Sequence, residues 1–473
     1  MGTELLAPLD LAFWHLESDA HPMHLGALAI FAPGPGSRPG PDALLDLLGT
    51  RAAAIPRLRM RVRDVLLPVG GAAWSVDKDF DVHRHVKRVR VDTAPGGGED
   101  AFMAGATRLA GALMEQPLRR GRPPWQMYLL DGGPDGPFAV LVKLHHALAD
   151  GMRAVAIGAG IFDEIASLTR RAGNGVPAGR VRSVPPRSWM PGPRQVAGLA
   201  LGRIEDLGRA FGVGASLVRA SRLDLRGVPA LSAGSSGTRR LATADLDLDA
   251  VRRIRRGTGG TGNDVLLGVV AGALRRWMLE RGEPLPGTEP RALVPVSRRR
   301  PGGPAAGNGN RLSAYLLGLP VAEPDARERL RLVREAMDRN KAAGPLRGAG
   351  AVAVLADQLP SLAHRLGAPL AGSAARMLFD VLVTSVPLPR SALSLAGCPL
   401  RALYPMAPLA RGQSLAVALT TYGSTVQIGL VADGKAVPDL DRLGRCAEEE
   451  VSALLDLLPP ASRIPAGAPP TPE

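Results

Sequence analysis

The sequence contains little cysteine and no long apolar run. Only Cys398 and Cys446 occur among 473 residues, and this pair forms neither a disulfide framework nor a metal-ligand spacing, so a reducing cytoplasm is the expected location. No stretch approaches the roughly 18 uncharged apolar residues that a membrane-spanning helix needs. The N-terminal MGTELLAPLDLAFWHLESD acquires acidic residues early and lacks the basic-then-apolar order of a secretory signal. Any contact with lipid is therefore expected to be peripheral.

Aromatic residues are also scarce, at 4% of the chain, whereas basic residues exceed acidic ones and give a formal net charge of +14. Nucleic-acid binding by base stacking needs aromatic residues interleaved with basic ones. No such stretch is present, so no nucleic-acid partner is expected. The charge excess favours other anionic surfaces. Arginine clusters at 251–256 and 297–303 fit anionic lipid headgroups, a phosphate-bearing co-substrate or a merely solvated surface.

The chain is too long for one ordinary core, so two domains are predicted. Hydrophobic residues at 45% and charged residues at 22% indicate a globular protein. Pro, Gly and Arg interrupt all periodicity after residue 173, which predicts a flexible connection. We place an N-terminal domain at 1–172, a flexible loop and linker helix at 173–236, a C-terminal domain at 237–462 and a disordered tail at 463–473.

Hydrophobic periodicity predicts alternating strands and helices in the first domain. The predicted strands cover 23–33, 57–67, 125–133 and 138–146. The predicted helices cover 41–55, 98–118 and 151–173. Pro117 is expected to stop the second of these helices, and the linker is expected to contain an amphipathic helix at 195–222.

Two of the eight histidines stand side by side in LVKLHHALADGMR, residues 141–153. If strand geometry persists, His145 and His146 point to opposite faces and do not share a metal ion, so no metal site is expected. Asp150 returns close to them after a tight turn, and Gly151 permits the backbone angle from which a helix can start. A neutral imidazole suits a general base that takes a proton from a hydroxyl or a thiol. The alternative is a satisfied core histidine beside a turn aspartate.

The HHALADG motif resembles the HHxxxDG signature of coenzyme A-dependent acyltransferases, a superfamily that includes the condensation domains of peptide synthetases. Further segments resemble the bacterial wax ester synthase/diacylglycerol acyltransferase family, and they occur in the family's order over most of the chain. They are APLDLAFWHLESDAHPMHLGALAIF (7–31), RRGRPPWQMYLLDG (119–132), TGNDVLLGVVAGALRRWM (261–278), RALVPVSRR (291–299), GNGNRLSAYLLGLP (307–320) and residues 395–433. One motif alone is weak evidence, whereas the ordered set is specific.

The resemblance implies an α/β (α+β) fold of two chloramphenicol-acetyltransferase-like domains, each a mixed sheet flanked by helices. A helical linker joins them, and the site lies in a tunnel between them. The resemblance also implies that His146 is the general base, that Asp150 is mainly structural, and that Asn263 and Asp264 support the site. Acyl-CoA is then the co-substrate, and no cofactor is bound. Because the chain contains no GxSxG nucleophile elbow, transfer without a covalent intermediate is expected.

Some of the matching residues have a plainer interpretation. Trp125 follows Pro124, where the family usually has leucine, and it is either site support or an aromatic side chain packed under its strand. Asn263 either supplies or positions a donor for the oxyanion or caps a helix that begins at Asp264. Both interpretations stay open for each residue.

The segment TSVPLP (384–389) departs from the family, in which many members read SNVPGP. Ser385 replaces an amide side chain, and Leu388 replaces a glycine. This loop is expected to contact the site or its tunnel, so substrate preference is expected to differ. Ser385 and Gln413 are the candidate substrate contacts.

The sequence therefore predicts an acyl-CoA:alcohol O-acyltransferase that makes triacylglycerol from diacylglycerol, wax ester from a long-chain alcohol, or both. The expected location is the cytoplasm, at an anionic membrane or lipid-droplet surface. One alternative enzyme is a specialised acyltransferase or condensation-type domain that uses a carrier-bound acyl group. The alternative without catalysis is a lipid-binding relative with little activity.

Overall fold

The computed structural model of the chain describes residues 4–32, 39–66, 69–92, 98–133, 136–163, 229–232, 234–297, 312–343, 378–389 and 391–459. Most of the predicted linker at 173–236 and the whole predicted tail at 463–473 lie outside the described residues. The same holds for residues 164–173 of the helix predicted at 151–173. Within the described ranges, no helix has both the length and the apolar character needed to cross a bilayer.

Helices and strands are interspersed along the described part of the chain. The helices are α1 (Pro8–Leu16), α2 (Pro41–Ala54), α3 (Gly98–Glu115), α4 (Gly151–Ile161), α5 (Leu248–Thr258), α6 (Gly262–Glu280), α7 (Ala326–Ala343) and α8 (Leu440–Asp456). The strands are β1 (Glu4–Leu5), β2 (His24–Phe31), β3 (Met60–Asp64), β4 (Ala72–Val76), β5 (Val86–Arg90), β6 (Trp125–Asp131), β7 (Phe138–His145), β8 (Arg239–Asp247), β9 (Arg291–Ser297), β10 (Leu312–Gly318), β11 (Val381–Pro387), β12 (Ser394–Leu395), β13 (Cys398–Met406), β14 (Leu415–Tyr422) and β15 (Thr425–Asp433).

The N-terminal half is built on a six-stranded sheet in the order β12-β13-β2-β7-β6-β5. β5 and β6 run parallel, whereas β7 is antiparallel to both of its neighbours, so the sheet is mixed. Apolar residues of β7 are buried on both faces, because α3 packs on one face and α1, α2 and α4 pack on the other. A small three-stranded sheet, in the order β1-β4-β3, also belongs to this half.

The C-terminal half is built on a second six-stranded sheet, in the order β10-β9-β11-β14-β15-β8. β11 runs parallel to both β9 and β14, and the other pairs are antiparallel. α5, α6, α7 and α8 share one apolar core with this sheet, in which α6 is buried along most of its length. The predicted fold class, two mixed sheets flanked by helices, is confirmed.

The two halves share a strand and a core. β13 follows most of the C-terminal sheet in the sequence, yet it pairs antiparallel with β2 of the N-terminal sheet. A third apolar cluster joins α3 and β2 to β13, β14 and β15. β13 crosses β15 so closely that a Cβ on Gly429 would lie 1.8 Å from the Pro405 carbonyl oxygen. The sheets therefore do not divide at residue 237, since Cys398–Met406 belongs to the N-terminal one.

Several elements begin or end away from their predicted bounds. The strand predicted at 57–67 starts too early, because residues 57–59 belong to a 3₁₀ turn at Pro56–Arg59. Among its described residues the strand covers Met60–Asp64. α3 ends before Pro117, because a residue that precedes proline is disfavoured in the helical region. The helix predicted at 151–173 is interrupted at Phe162, whose backbone is extended. Helix α1 was not predicted from periodicity.

Candidate active site

The first histidine of the pair ends β7, and its ring stabilises the turn that follows. His145 Nδ1 accepts a hydrogen bond from the Ala147 N–H at 2.9 Å, so the proton of the neutral ring lies on Nε2. The Leu148 N–H donates to the His145 carbonyl at 2.8 Å, and the His146 N–H donates to the Met23 carbonyl at 2.8 Å. Strand alternation therefore ends at His145, and a hydrogen-bonded turn sets the position of His146.

A buried carboxylate lies behind His145. Glu17 Oε1 is 3.4 Å from His145 Nε2 and 3.3 Å from His24 Nε2, and the Glu17 side chain is only 6% exposed. Burial alone raises the pKa of Glu17, but its contacts with His145 and His24 outweigh burial and hold that pKa well below its usual range. Arg120 adds a positive charge 3.6 Å from Oε2. Burial lowers the pKa of His24 to about 4, so an anionic Glu17 faces neutral His24 at neutral pH.

The second histidine is the more accessible of the two. His146 is half-buried, whereas His145 is fully buried. The His146 imidazole stacks on Phe13 of α1, with ring centroids 3.9 Å apart and an interplanar angle of 18°. Burial lowers the pKa of His146 to about 4, so the ring is neutral at physiological pH and able to accept a proton. These properties make His146 the candidate base.

Backbone and helix contacts hold the end of β7 in place. The His145 N–H donates to the Pro124 carbonyl at 3.0 Å. Lys143 is fully buried, and its ammonium donates to the Leu113 carbonyl at 2.8 Å and to the Gln116 carbonyl. These carbonyls lie at the C-terminal end of α3, where the helix dipole favours a cation. Burial lowers the pKa of Lys143 to about 7. The end of β7 is therefore held by α3 through Lys143, and Pro124 supports the histidine pair through its backbone carbonyl.

Asp150 and Gly151 begin α4 at the junction of the two halves. Asp150 is buried, and its carboxylate accepts a hydrogen bond from the Arg153 N–H at 2.8 Å, which caps the helix. A Cβ on Gly151 would lie 3.4 Å from Val386 Cγ2, so α4 starts against the end of β11. The HHxxxDG segment therefore contacts the C-terminal half directly.

The end of β11 also borders a cavity. Ser385 and Leu388 line it together with Leu248 and Arg252 of α5, and its volume is about 530 Å³. Leu388 packs against the N-terminal core as well, at the position where many family members have glycine. Its side chain therefore fills part of the junction beside α4. A substrate contact by Ser385 stays a prediction.

Trp125 belongs to the N-terminal core. Its ring is fully buried, and Nε1 donates to the Leu58 carbonyl at 2.7 Å. The indole stacks on His85 with centroids 4.6 Å apart. Trp125 pairs with Leu144 of β7, so it packs under its strand and supports the strand that carries the histidine pair.

Asn263 and Asp264 lie in the first turn of α6. The helix begins at Gly262 and Thr261 is its N-cap, so the interpretation that Asn263 caps a helix beginning at Asp264 is wrong. The Asp264 N–H donates to Thr261 Oγ1 at 3.2 Å, and the Thr261 N–H donates to Asp264 Oδ2 at 2.7 Å. This reciprocal capping box satisfies two helix N–H groups. Lys341 Nζ lies 3.7 Å from Asp264 Oδ1. Site support by Asn263 stays a prediction.

Gln413 has a structural contact within the C-terminal half. It is buried, and its side-chain amide donates to the Phe379 carbonyl at 3.1 Å. This bond holds the loop before β14 against the segment before β11. A substrate contact by Gln413 stays a prediction.

Three residues of the site were not identified from the sequence: Phe13, Glu17 and His24. Phe13 and Glu17 come from α1 and its C-cap, and His24 pairs directly with His145 across β2 and β7. The one available signal was that HLESDAHPMH, residues 15–24, holds three of the eight histidines around two acidic residues. Its meaning depends on α1 folding back onto the end of β7, which spacing alone does not predict.

Glu17 contacts His145, the residue before the candidate base, so we expect Glu17→Gln to lower kcat about tenfold, the low end of the loss on removing a carboxylate that orients a histidine of a site. The amide preserves the shape of the side chain but removes the charge that faces His145 Nε2. The KM for the acyl donor is expected to stay nearly constant, since Glu17 acts through His145. Steady-state kinetics and urea unfolding test this, with Glu99→Gln, an exposed carboxylate on α3, as the matched control. Unchanged kcat combined with reduced stability would make Glu17 purely structural.

Comparisons with known proteins identify the family. The family described as "Wax ester synthase/diacylglycerol acyltransferase catalytic domain" matches residues 6–266, and "WS/DGAT C-terminal domain" matches residues 308–455. A putative diacylglycerol O-acyltransferase of Mycobacterium bovis is 31% identical over 471 residues, which cover 95% of this chain and 95% of the relative. A probable diacylglycerol O-acyltransferase of Mycobacterium tuberculosis is 30% identical over 457 residues, which cover 93% of this chain and 96% of the relative.

Solved structures share the fold. The wax ester synthase/diacylglycerol acyltransferase from Marinobacter aquaeolei VT8 has a TM-score of 0.67 at 24% identity, covering 96% of this chain and 99% of that chain. The first condensation domain of the CDA synthetase has a TM-score of 0.57 at 17% identity, covering 97% and 99%. The resemblance seen in the sequence is thus confirmed. The chain belongs to the wax ester synthase/diacylglycerol acyltransferase family and is an acyltransferase.

Proposed function

We propose that this acyltransferase moves a long-chain acyl group from acyl-CoA to the hydroxyl of diacylglycerol, of a long-chain alcohol, or of both. The observation that carries the proposal is His146, a half-buried and neutral imidazole that stacks on Phe13 and precedes the helix whose first residue, Gly151, meets Val386 of the C-terminal half. The names of the mycobacterial relatives support diacylglycerol as an acceptor.

His146 acts as the general base in one direct transfer. Its imidazole takes the hydroxyl proton while the acceptor oxygen forms a bond to the thioester carbonyl carbon, and a tetrahedral oxyanion results. Asn263 supplies or positions a donor to that oxyanion. The carbon–sulfur bond then breaks, and the leaving thiolate takes the proton from the imidazolium. Protons and charge balance over the cycle, and no covalent acyl-enzyme is needed.

The cavity beside β11 is the proposed binding space for one of the two substrate chains. It lies next to the start of α4, and Ser385 and Arg252 provide polar groups in its lining. Leu388 occupies space that a glycine would leave open, because its side chain packs into the N-terminal core. This narrowing favours a slender alkyl chain over a branched acceptor on that side.

The proposed location is a cytoplasmic one, at the surface of an anionic membrane or a lipid droplet. The substrates are poorly soluble in water, and the formal net charge of +14 attracts anionic surfaces. The attraction should weaken as salt screens it, with a screening length of about 10 Å at 0.1 M salt.

A substrate panel tests the proposed function. Acyl-CoAs of increasing chain length are offered with diacylglycerol, monoacylglycerol or hexadecanol, and the products are read by mass spectrometry with His146→Ala protein as the background. We expect triacylglycerol, wax ester or both from long-chain acyl-CoA. Product formation only from an acyl group on a phosphopantetheinyl carrier would favour the condensation-type alternative. Lipid binding without turnover would favour a non-catalytic relative.

A further inference from the structure

Helix α1 ends between two exposed loops. The His15 ring contacts the Gly70 carbonyl through Nε2 at 3.0 Å, which places the tip of the β3–β4 hairpin on one side of the helix end. Arg120 donates to the Trp14 carbonyl at 2.9 Å, and its guanidinium lies 4.7 Å from the Trp14 ring centroid. This contact places the loop between α3 and β6 on the other side. The two loops are therefore neighbours around one helix end.

The hairpin tip carries exposed apolar side chains. Leu66 is 93% exposed and Val69 is 55% exposed. Leu5 of β1, in the same small sheet, is also exposed. Leu66 and Val69 belong to the same turn, and exposed large apolar side chains in one segment are candidates for contact with protein or lipid, because their exposure to water is unfavourable.

A cationic pocket lies between the neighbouring loop and the start of β5. Its volume is about 230 Å³, and its basic lining residues are Arg84, Lys87, Arg119 and Arg122. Arg84 is paired with Asp81 at 3.1 Å, so the other three supply the unpaired basic groups of the lining that the structure describes. His85 and Trp125, whose rings stack on each other, are buried residues that border the same pocket. Several converging guanidinium and ammonium groups are the chemistry that binds a phosphate group.

The hairpin and the cationic loop are in contact. Arg61 of β3 donates to the Gly121 carbonyl at 3.3 Å, and Gly121 stands between the two arginines Arg119 and Arg122. Because α1, whose end both segments contact, also places Phe13 against His146, the hairpin, the loop and the candidate base are connected through a single short helix.

We propose that the hairpin tip with Leu66 and Val69, together with the cationic pocket, is a docking face for an anionic phospholipid surface. The side chains of Leu66 and Val69 enter the boundary between headgroups and acyl chains, and the pocket cations bind headgroup phosphates. Charge complementarity favours an anionic lipid surface over a second protein that is also positively charged. The docking face is relevant to catalysis only if the proposed lipid substrates are correct, but its existence is tested without measuring turnover.

Vesicle flotation tests the docking face. Full-length protein is mixed with vesicles of phosphatidylcholine alone or of phosphatidylcholine with phosphatidylglycerol. A basic side chain near an anionic bilayer strengthens binding about fivefold, so Arg119→Ala/Arg122→Ala should weaken binding to the anionic vesicles about twentyfivefold. The control variant Arg255→Ala/Arg256→Ala removes the same charge from an exposed face of α5. It should weaken binding to the anionic vesicles less than about threefold. Lys87→Gln provides a second variant outside the 119–122 loop.

The apolar arm of the test uses Leu66→Ser/Val69→Ser. We expect binding about tenfold weaker, and the remaining binding should disappear at high salt, because only the charge contribution is left. Equal losses in the α5 control and the pocket variant would overturn the proposal, as would a hairpin variant that binds like the wild type. Displacement of the vesicles by free coenzyme A would assign the pocket to a soluble phosphate ligand instead. Loss of turnover on the substrate panel with intact vesicle binding would overturn only the proposed function.

Discussion

His146→Ala is expected to lower kcat for thiol release from long-chain acyl-CoA by about a thousandfold, the usual range for loss of a general base. Alanine removes the ring that accepts the hydroxyl proton, and the neighbouring imidazole of His145 cannot replace it, since His145 is fully buried against Glu17. Thiol release is measured with a chromogenic thiol reagent under saturating donor and acceptor. Full activity in well-folded His146→Ala protein would contradict the assignment.

His145→Ala is the matched comparison and should reduce kcat much less. Its ring accepts the Ala147 N–H and faces Glu17, so its loss leaves buried polar groups unsatisfied and is expected to lower the free energy of unfolding by about 1–3 kcal/mol. His146→Ala should therefore lower kcat strongly and stability little, whereas His145→Ala should lower stability more than kcat.

The pH dependence provides a second measurement on the same base. Burial lowers the pKa of His146 to about 4, below the ordinary value near 6.5. A base is active when unprotonated, so kcat should stay level as the pH falls from about 8 to about 5 and should decline only nearer the lowered pKa. A decline centred near the ordinary histidine pKa would indicate that His146 is solvated like a surface residue.

Gly429→Ala is expected to lower the free energy of unfolding by about 3 kcal/mol, at the upper end for an overpacked site. The added Cβ would lie 1.8 Å from the Pro405 carbonyl oxygen. Because that oxygen is backbone, no rotamer change can relieve the overlap, and β13 must move away from β15. Urea or thermal unfolding of the variant measures the loss.

Gly287→Ala is the control for Gly429, since a Cβ there has no neighbour within 4 Å. We expect its unfolding midpoint to match the wild type. A Gly429→Ala protein with an unchanged midpoint would show that the two strands are further apart than described.

The sequence predicted those elements whose signal is local. β7 and β6 were recognised because apolar residues run without interruption between turn signals, and α2 because leucines recur at helical spacing. The candidate base was also accessible to sequence reasoning, since HHxxxDG is a contiguous motif. Helix α1 has few residues and proline at its start, so periodicity had little length on which to act.

Contacts between distant segments were beyond such reasoning. Glu17 contacts His145 only because α1 folds onto the end of β7, and hydropathy patterns do not predict contacts between such distant segments. The placement of β13 was missed for the same reason, since a strand reads alike whichever sheet it joins. The alternative in which Asn263 caps α6 places the cap two positions too late, because Thr261 and Asn263 are both residue types that begin helices.

The shared strand β13 has a consequence for attempts to shorten or recombine this enzyme. A fragment that stopped before residue 398 would leave β2 with an open hydrogen-bonding edge, because its outer neighbour is supplied from the far end of the polypeptide. Such a fragment is prone to self-association through that edge. Chimaeras between family members should therefore exchange the first half together with Cys398–Met406, treating two separated stretches of chain as one inherited unit.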